Sequence, residues 1–514
     1  MKSIYKFALL GLLTLGISSC SEDQLETTPS TSVDTEQLMG STSKAIASLN
    51  GIYRMLYSVG YTSGWESEEM GITAFNHVAD LMGEDQIQQS SGSGWFYYDY
   101  LYMVKSDYTH NAGRPYGTWN FFYTIISNAN YLIAADDTMV GEEKDKNYIV
   151  GQAYALRALG YFYLSQYYAQ TIVGHEDDPC VPLYTEPTTK ETKGKGRATN
   201  AAVYALIDSD ITAAIEKLSH AKTTRDSKSH LGLAEVYGLA ARVALVEEKW
   251  KDAKKYAELA IDGAQKEGLE ITEVNNFLGV NNAASKNVMW GLKIVADQSQ
   301  ALASYFSHMD ASAGKYGAAA RVQINRELYD SMDAADARRV WWNPNDSHNK
   351  SNGYQQEKFK FSNQSTYEGD YVLMRVEEMY LIKAEAQCML DDDEGAQATL
   401  NEYMKTRVAD YNCTKTGKAI AETSDPAKAT GSLREEIINQ RRIELWGEFG
   451  RLYDLRRLHQ GVYRSVEQGH SAAAVYYASG TEDPENTRWL MTIPQSEFDG
   501  NSALDPVKDQ NPMN

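Results

Sequence analysis

Two glutamates near the carboxyl end of the chain have the spacing of a catalytic pair. Glu444 and Glu448 lie four residues apart in a predicted helix, which places their Cβ atoms about 6 Å apart. Retaining glycosidases hold two carboxyl groups about 5–5.5 Å apart, and the acid of the pair needs a raised pKa. Arg441, Arg442 and Arg451 are close in sequence, and their charges favour the ionised form of both glutamates. We therefore expect an ion-pair network here and predict no catalytic residue.

Other enzyme signatures are missing from the sequence. It contains no H-E-x-x-H, G-x-S-x-G, Walker-type or dinucleotide-binding motif, and its nine histidines lack metal-ligand spacing. None of the cysteines forms a C-x-x-C pair, and Cys180, Cys388 and Cys413 allow at most one disulfide. A formal net charge of −21 argues against nucleic acid, which binds basic surfaces, and suits a neutral ligand.

Aromatic side chains indicate a different chemistry, the binding of sugar rings. Pyranose rings have apolar C–H faces that pack on flat aromatic side chains, and their hydroxyls need a few fixed polar partners. Aromatic residues, including many of the 35 tyrosines, occur in two long stretches without helical periodicity, 61–114 and 266–369. The candidate ligand-binding residues are Trp95, Tyr97, Tyr98, Asp99, Tyr305, Tyr316 and Trp341.

Trp95 is the first candidate because it directly follows a loop rich in glycine and serine, residues 90–94. We expect Asp99, Asn111 and Arg114, which are near it in sequence, to supply polar groups at the rim. For each aromatic candidate a place in the core is the alternative, since aromatic side chains bury well anywhere.

The remaining tryptophans are assigned mainly to packing. Of the adjacent Trp341 and Trp342, one is expected to pack inside and the other to face outward. Trp290 lies in an apolar, strand-like run, and Trp119 follows a helical stripe, so both are predicted core residues.

Helices in pairs must position these residues. A stripe of small and apolar residues at helical spacing runs along 250–264, and it predicts close packing on the preceding helix, 230–247. Ala241, Ala253 and Ala260 have the same spacing as Ala384, Ala396 and Tyr403, as in tetratricopeptide units. Two more pairs are predicted, 36–59 with 116–136 and 145–168 with 199–218, and a last helix spans 432–448 with a capping box at Ser432.

Four acidic residues, 391–394, lie in the turn of the later helix pair. They lack the alternating ligand spacing of a calcium loop, so we interpret them as a helix N-cap. No cofactor is predicted, although the sequence leaves a structural calcium ion open.

The first residues indicate the compartment. Lys2 and Lys6 precede a short apolar run, 7–17, which is typical of a secretory signal peptide and too short to cross a membrane. Small residues directly before Cys20 resemble a bacterial lipobox, in which the cysteine becomes the lipidated first residue. We therefore divide the chain into a signal peptide, 1–19, and a lipidated cysteine with a flexible tether, 20–35.

Several segments together resemble the SusD/RagB family of surface glycan-binding lipoproteins of Bacteroidetes. They cover nearly the whole chain in order, with 266–369 the least similar part. They are the lipobox, residues 150–164, Val181-Pro182-Leu183, residues 373–386, Arg441-Arg442-Ile443-Glu444-Leu445 with Glu448, Arg451, Asp454, Leu455, Arg456 and Arg457, Ile493-Pro494-Gln495-Ser496-Glu497, and Gln510-Asn511-Pro512.

This resemblance implies a mainly α, SusD-like fold in one domain, 36–514, with four tetratricopeptide-type helix pairs and long irregular insertions that contain short β-strands. The helical scaffold is expected at about 36–60, 115–265 and 370–460, and the insertions at about 61–114 and 266–369.

The family also implies a function, the capture of oligosaccharides and their delivery to a SusC-like TonB-dependent transporter. The protein would be lipid-anchored in the outer membrane and face the extracellular side, as the acidic residues after Cys20 also suggest. The paired helices would face the transporter, and the irregular regions would carry the sugar site.

Two other functions compete with glycan capture. One is a surface scaffold that binds only protein partners, as many tetratricopeptide solenoids do, and the other is a surface hydrolase. The sequence does not specify the glycan, its linkage or its length.

Overall fold

The computed structural model describes residues 39–61, 66–88, 90–92, 94–109, 113–222, 224–345 and 353–513. Within these residues the fold is mainly α, as predicted. The helices are α1 (Thr42–Met55), α2 (Ile72–Met82), α3 (Tyr97–Tyr100), α4 (Arg114–Ala134), α5 (Glu143–Tyr168), α6 (Asn200–Ser219), α7 (Leu233–Val246), α8 (Trp250–Lys266), α9 (Tyr305–Met309), α10 (Tyr316–Ala320), α11 (Arg326–Asp330), α12 (Val376–Met389), α13 (Asp393–Met404), α14 (Leu433–Glu444), α15 (Arg451–Arg457), α16 (Ala472–Tyr477) and α17 (Gln495–Gly500). The strands are β1 (Gln86–Gln88), β2 (Val288–Leu292), β3 (Val322–Ile324), β4 (Trp342–Asn343), β5 (Gln355–Gln356) and β6 (Tyr371–Arg375).

The long helices pack in the predicted pairs. Helix α1 contacts α4, α5 contacts α6, α7 contacts α8, and α12 contacts α13. The α7–α8 pair is close because its contact face is built from small residues: a Cβ added to Gly263 would lie 2.6 Å from the Cβ of Ala234. The stripe Ala253, Ala257, Ala260 and Ala264 is buried, as its spacing predicts.

Polar side chains fix several helix starts. Asp392 Oδ1 accepts a hydrogen bond from the Gly395 backbone N–H (3.0 Å), so the acidic turn is a helix cap. Ser432 Oγ accepts from the Glu435 backbone N–H (3.1 Å), which is one half of the predicted capping box, whereas the Glu435 carboxylate accepts from the Gly431 backbone N–H (2.7 Å). Helix α14 then ends at Glu444, four residues earlier than predicted, and Gly447 follows with a left-handed φ of 78°.

Helix α2 lies inside the stretch 61–114, where no helix was predicted. Each of its residues is buried, from Ile72 to Met82, and it packs on α15. A helix that is covered on all sides does not alternate apolar and polar faces, so the periodicity used to recognise surface helices is missing.

Two small antiparallel sheets order the irregular stretches. Strands β1, β3, β5 and β4 lie side by side in that order, and β2 pairs with β6. All residues of β2 and β6 are buried, and Trp290 is 2% exposed, as expected of a core residue.

Several predictions fall outside the described residues: the signal peptide, the lipidated Cys20, the tether and Asn111. In the part that is described, no helix is both long enough and apolar enough to cross a membrane. Cys180, Cys388 and Cys413 are buried free thiols, so these three form no disulfide with one another.

Candidate functional site

Pairing of two short strands brings the two aromatic stretches together. Strand β1 belongs to the first stretch and β3 to the second, and they are antiparallel with Gln88 opposite Val322. The end of β1 therefore lies beside the start of β3. Trp95 follows β1 by seven residues and Tyr316 precedes β3 by six, so the register places these two side chains at one end of the sheet.

Trp95 and Tyr316 form an aromatic pair on this edge. Their ring centroids are 6.2 Å apart and their planes are inclined by 66°, an edge-to-face arrangement. Both residues are half-buried, and the indole Nε1 of Trp95 is buried. The one polar atom of the indole is thus not part of the open surface, which suits contact with the C–H face of a sugar.

Backbone contacts lock the two segments against each other. Ser90 Oγ donates a hydrogen bond to the backbone oxygen of Ala319 (3.0 Å), and Gly92 lies against Ala320. A Cβ added to Gly92 would be 3.0 Å from the Ala320 backbone nitrogen, and Gly92 has a φ of 52°, so a larger residue here would be strained and would crowd Ala320.

Tyr97 and Tyr98 follow Trp95 in the chain, in helix α3, and are also partly open to solvent. Helix α3 begins with Tyr97 directly after Phe96, whose φ of 61° is left-handed and turns the chain. Tyr98 is 53% exposed and Tyr97 is half-buried, with 6.4 Å between their ring centroids. Trp95, Tyr97, Tyr98 and Tyr316 are therefore the four predicted aromatic candidates that keep open surface, and we call them the aromatic face.

A buried layer supports the aromatic face. His308 packs on Tyr316 with 5.0 Å between ring centroids, and it meets Phe96 edge-on at 4.9 Å. Ser67 joins the layer, since its Oγ is hydrogen-bonded to Tyr316 Oη (3.2 Å) and its backbone oxygen to His308 Nε2 (2.6 Å). Burial lowers the pKa of His308 to about 4, so the ring is neutral at pH 7. No sequence pattern marks Ser67 or His308 for this role.

The predicted polar rim is a buried ion cluster instead. Asp99 is 1% exposed and binds Arg114 Nε (3.0 Å), and Arg114 also binds Glu68 and lies 4.9 Å over the ring of Phe96. Asp99 and Arg114 are therefore buried and do not lie at the open rim where they were expected. Their role is to hold α3 and α4 together beneath the aromatic face.

Two aromatic candidates are also buried. Tyr305 is 4% exposed, donates to the backbone oxygen of Gly447 (2.7 Å) and packs edge-on against Phe359. Trp341 is 1% exposed and Trp342 3%, so the expectation that one of the two faces outward is wrong. Lys358 Nζ lies 4.5 Å over the Trp341 ring, which places that ring in the charged core.

The glutamate pair forms a buried ion network, as predicted, but with other partners. Glu444 Oε1 binds Arg375 Nη1 (2.8 Å) and Arg407 Nη2 (2.9 Å), while Glu448 binds Arg375 Nε and Lys358 Nζ, each at 2.6 Å. Burial alone would raise the pKa of Glu444, but Arg407 and Arg375 outweigh it and hold that pKa well below its usual value. The pKa of Glu448 is lowered as well, although it too is buried, because Arg375 and Lys358 favour its charge.

The arginines expected around this pair bind other carboxylates. Arg441 Nε binds Asp454 (2.9 Å), Arg442 Nη2 binds Asp85 (2.7 Å) and Arg451 Nη2 binds Glu84 (3.0 Å). Sequence proximity thus predicted an ion-pair network but not which residues pair. The partners of Glu444 and Glu448 come from other segments of the chain. No cluster of three metal-ligating side chains is found in the described ranges of the chain.

The fold and the aromatic face define a class of protein: a frame of paired helices that carries ordered insertions with open aromatic rings. The profile of the SusD family matches residues 249–513. A second profile, described as "Starch-binding associating with outer membrane", matches residues 78–245. The chain belongs to the SusD family.

Solved structures agree with this assignment. A SusD-like carbohydrate binding protein from Bacteroides vulgatus is 27% identical, with a TM-score of 0.75 over 92% of this chain and 98% of that one. A SusD superfamily protein from Bacteroides thetaiotaomicron is 20% identical, with a TM-score of 0.73 over 92% of this chain and all of that one (100%). Surface glycan-binding protein A from Bacteroides fluxus is 18% identical, with a TM-score of 0.62 over 91% and 99%. Among curated proteins, none matches this chain.

Proposed function

We propose that this protein captures neutral oligosaccharides at the cell surface, on the aromatic face, and delivers them to a SusC-like TonB-dependent transporter. The observation that carries the proposal is the meeting of Trp95 and Tyr316, from stretches more than 200 residues apart, as a rigid and half-open pair. Membership of the SusD family and likeness to a SusD-like carbohydrate binding protein support the same class of ligand.

The chemistry of the aromatic face suits a neutral sugar. The four rings supply flat apolar surface, and the hydroxyls of Tyr97 and Tyr98 supply polar groups beside it. Arg114, Asp99 and Glu68 are paired with one another in the buried layer. A site of this composition holds an uncharged ring by packing and selects it by hydrogen bonds.

We propose binding without hydrolysis. Glu444 and Glu448 lie in the charged core, and their lowered pKa values keep them ionised at pH 7, so neither can donate a proton as a general acid. Incubation of the purified protein with a polysaccharide that it retains should release no new reducing ends. Release that persists in a Glu444→Gln variant would identify another catalytic site.

Retention on immobilised polysaccharides tests the proposal. Full-length protein in detergent is run through gels that contain starch, xylan, mannan or β-glucan, and at least one should retard it. A Trp95→Ala/Tyr316→Ala variant should lose that retardation, and Tyr476→Ala, which removes a tyrosine that is 73% exposed on α16, should keep it. Equal retardation of the double variant would refute the aromatic face as the site.

The anchor and the transporter are tested separately. Fatty chains on Cys20 would attach the protein stably to the outer membrane, since each buried CH₂ contributes about 0.8 kcal/mol. Cys20→Ser should therefore move the protein from the membrane fraction to the soluble fraction. The wild type should co-purify with the product of an adjacent TonB-dependent transporter gene, and recovery of the protein without it would count against delivery.

A protein-binding scaffold is the second candidate, and one observation favours it. A hollow of about 950 Å³ lies among α5 to α8 and is lined by charged side chains, among them Arg225, Asp226 and Lys266. Such a surface suits a polypeptide better than a neutral sugar. If no polysaccharide retards the wild type while charge reversal at Lys266 releases the transporter, the scaffold function is the correct one.

A further inference from the structure

The outer side of helix α4 forms one wall of a groove that is separate from the aromatic face. Its volume is about 430 Å³, within the range of roughly 300–1,000 Å³ that is usual for small-molecule sites. The loop 182–188 forms the opposite wall, and the start of α17 closes one end. The lining residues used below are Tyr116, Asn120, Tyr123, Asn128, Tyr184 and Glu497.

This groove has a neutral floor in a strongly acidic protein. The 21 residues of α4 include a single charged side chain, Arg114, which is buried and bound to Asp99 beneath the aromatic face. The wall that α4 contributes to the groove is therefore built from tyrosine, tryptophan, asparagine, threonine, serine and one isoleucine, Ile126. Glu497 is the one acidic lining residue, and it accepts a hydrogen bond from the indole N–H of Trp119 (3.2 Å). A chain with a net charge of −21 keeps such a long surface uncharged here, which favours an uncharged ligand.

Three half-exposed tyrosines give the groove flat, fixed walls. Tyr123 of α4 and Tyr184 of the loop 182–188 meet edge-to-face, with 6.0 Å between ring centroids and 75° between planes. Tyr123 Oη donates to the Pro182 backbone oxygen (2.7 Å), and Tyr184 Oη accepts from the Lys195 backbone N–H (3.2 Å). Because both hydroxyls are held, little side-chain entropy is lost when a ligand packs on the rings.

Amide side chains between the rings can receive hydroxyl groups. Asn120 Nδ2 donates to the Tyr61 backbone oxygen (2.7 Å) and Asn128 Nδ2 to the Thr124 backbone oxygen (2.8 Å). These bonds fix each amide, and the Oδ1 atoms accept from no residue that the structure describes. An amide oxygen that is fixed but unused is a suitable acceptor for a sugar hydroxyl.

The groove is long enough for several sugar units. Tyr116 and Asn130, which mark its ends along α4, are 14 residues apart, or roughly 21 Å at 1.5 Å per residue. We infer that this groove is a second binding site for a neutral oligosaccharide, which packs its rings on Tyr116, Tyr123 and Tyr184. The inference rests on the proposed function for the class of ligand and adds a site apart from Trp95 and Tyr316.

Calorimetric titration of the full-length protein with maltoheptaose, cellohexaose, xylohexaose and mannohexaose tests the inference. The wild type should bind one of these probes in two classes of site. Tyr116→Ala should weaken only the second class by about tenfold, as loss of one ring contact implies. Asn128→Arg, a change at an exposed position that the fold tolerates, should block that class by filling the groove, and Tyr476→Ala should alter neither class.

Each other outcome overturns the inference. The wild type could bind the probes in a single class of site that is lost in Trp95→Ala/Tyr316→Ala and retained in Tyr116→Ala and Asn128→Arg. This result refutes the groove as a binding site and leaves the proposed function intact. Groove variants that bind the probes normally but no longer co-purify with the transporter identify a protein interface instead. A wild type that binds none of the probes and is not retarded by any polysaccharide contradicts both proposals.

Discussion

Trp95 is held by its neighbours on one side and open on the other. Its backbone oxygen accepts from Gln88, its ring meets Tyr316, and its indole nitrogen is buried. Side chains at such positions change ligand affinity more than they change stability, because half of their surface is not needed for the core.

Replacement of Trp95 should lower ligand affinity without lowering the stability of the fold. Trp95→Ala should weaken the binding of a neutral oligosaccharide about tenfold, since one ring contact of this kind contributes about 1 kcal/mol or more. The melting temperature should change little. Calorimetric titration and thermal melts of the same samples measure both, with Tyr476→Ala as the control. Equal affinity in the Trp95 variant would remove this ring from the site.

Glu444 should affect stability, in contrast to Trp95, because its charge is fully buried. Glu444→Gln should cost about 3–5 kcal/mol in the free energy of unfolding, because Arg375 and Arg407 would lose a charged partner inside the core. Glu142→Gln, which breaks an exposed ion pair with Lys144, should leave stability unchanged. Denaturant titration measures both, and a fully stable Glu444 variant would contradict the structural role.

The loss of stability at acidic pH gives a second test of the role of Glu444. The pKa of Glu444 is lower in the folded protein than its ordinary 4.5, so its contribution is complete above that value and is lost as the pH falls below it. The variant should therefore lose less stability than the wild type when the pH falls below about 4.5.

At the residue scale the sequence locates the aromatic face only in part. Density of aromatic residues identifies the two stretches that supply these rings, and Trp95 is recognisable because it follows a segment rich in glycine and serine. Burial of Tyr305 and Trp341 is not recognisable, because it depends on contacts made by the folded chain, with Gly447 for Tyr305 and with Lys358 for Trp341. The spacing of Glu444 and Glu448 predicts a network, whereas its partners, Arg375, Arg407 and Lys358, follow only from the fold.

At the scale of elements, the aromatic face depends on the pairing of β1 with β3. Gly92 lies at the contact between the loop after β1 and helix α10. Gly92→Val should separate them, because the new side chain meets backbone atoms of Ala320 and the φ of 52° disfavours valine.

Binding should therefore fall in Gly92→Val while the helical frame stays folded. Circular dichroism and oligosaccharide titration test this expectation. Gly480→Val is the matched control, since Gly480 has a φ of 89° but open space around its Cβ position. If both variants bind normally, the contact with Ala320 does not position the rings.

The layer under the aromatic face makes the stability of the folded protein sensitive to acid. His308 has a pKa lowered by burial from 6.5 to about 4, so the unfolded chain takes up a proton before the folded protein does. Stability should therefore decrease as the pH falls from 6.5 towards 4, and above 6.5 the contribution is complete. His308→Gln should make this decrease smaller, as denaturant titrations at several pH values can show. An identical pH dependence in the variant would mean that His308 is not the neutral support of Tyr316.

Most of the long helices were predictable, including α5, in which nearly all residues from Asn147 to Tyr168 are buried. The stretch predicted as 145–168 is α5, Glu143–Tyr168, and 250–264 is α8, Trp250–Lys266. The fully buried helix α2 and the three-residue strands β1 and β3 were not predictable. Their order comes from long-range packing and pairing, which short windows of sequence do not contain.

At the scale of the whole molecule, the chain pairs its buried charges with one another, and the two proposed ligand surfaces are largely uncharged. Carboxylates and arginines pair in the interior around Glu444, while the aromatic face and the outer side of α4 present rings and neutral polar groups. A rigid helical frame can hold both surfaces in fixed positions because α1, α4, α5 and α6 pack in a continuous series. This arrangement is suited to capture of an uncharged chain molecule at more than one point.

A crystal structure of the protein with a retained oligosaccharide tests the central claim most directly. The account predicts a sugar ring packed on Trp95 or Tyr316, with hydroxyls beside Tyr97 or Tyr98. An oligosaccharide bound elsewhere, with these four side chains untouched and their replacement without effect on affinity, would contradict it.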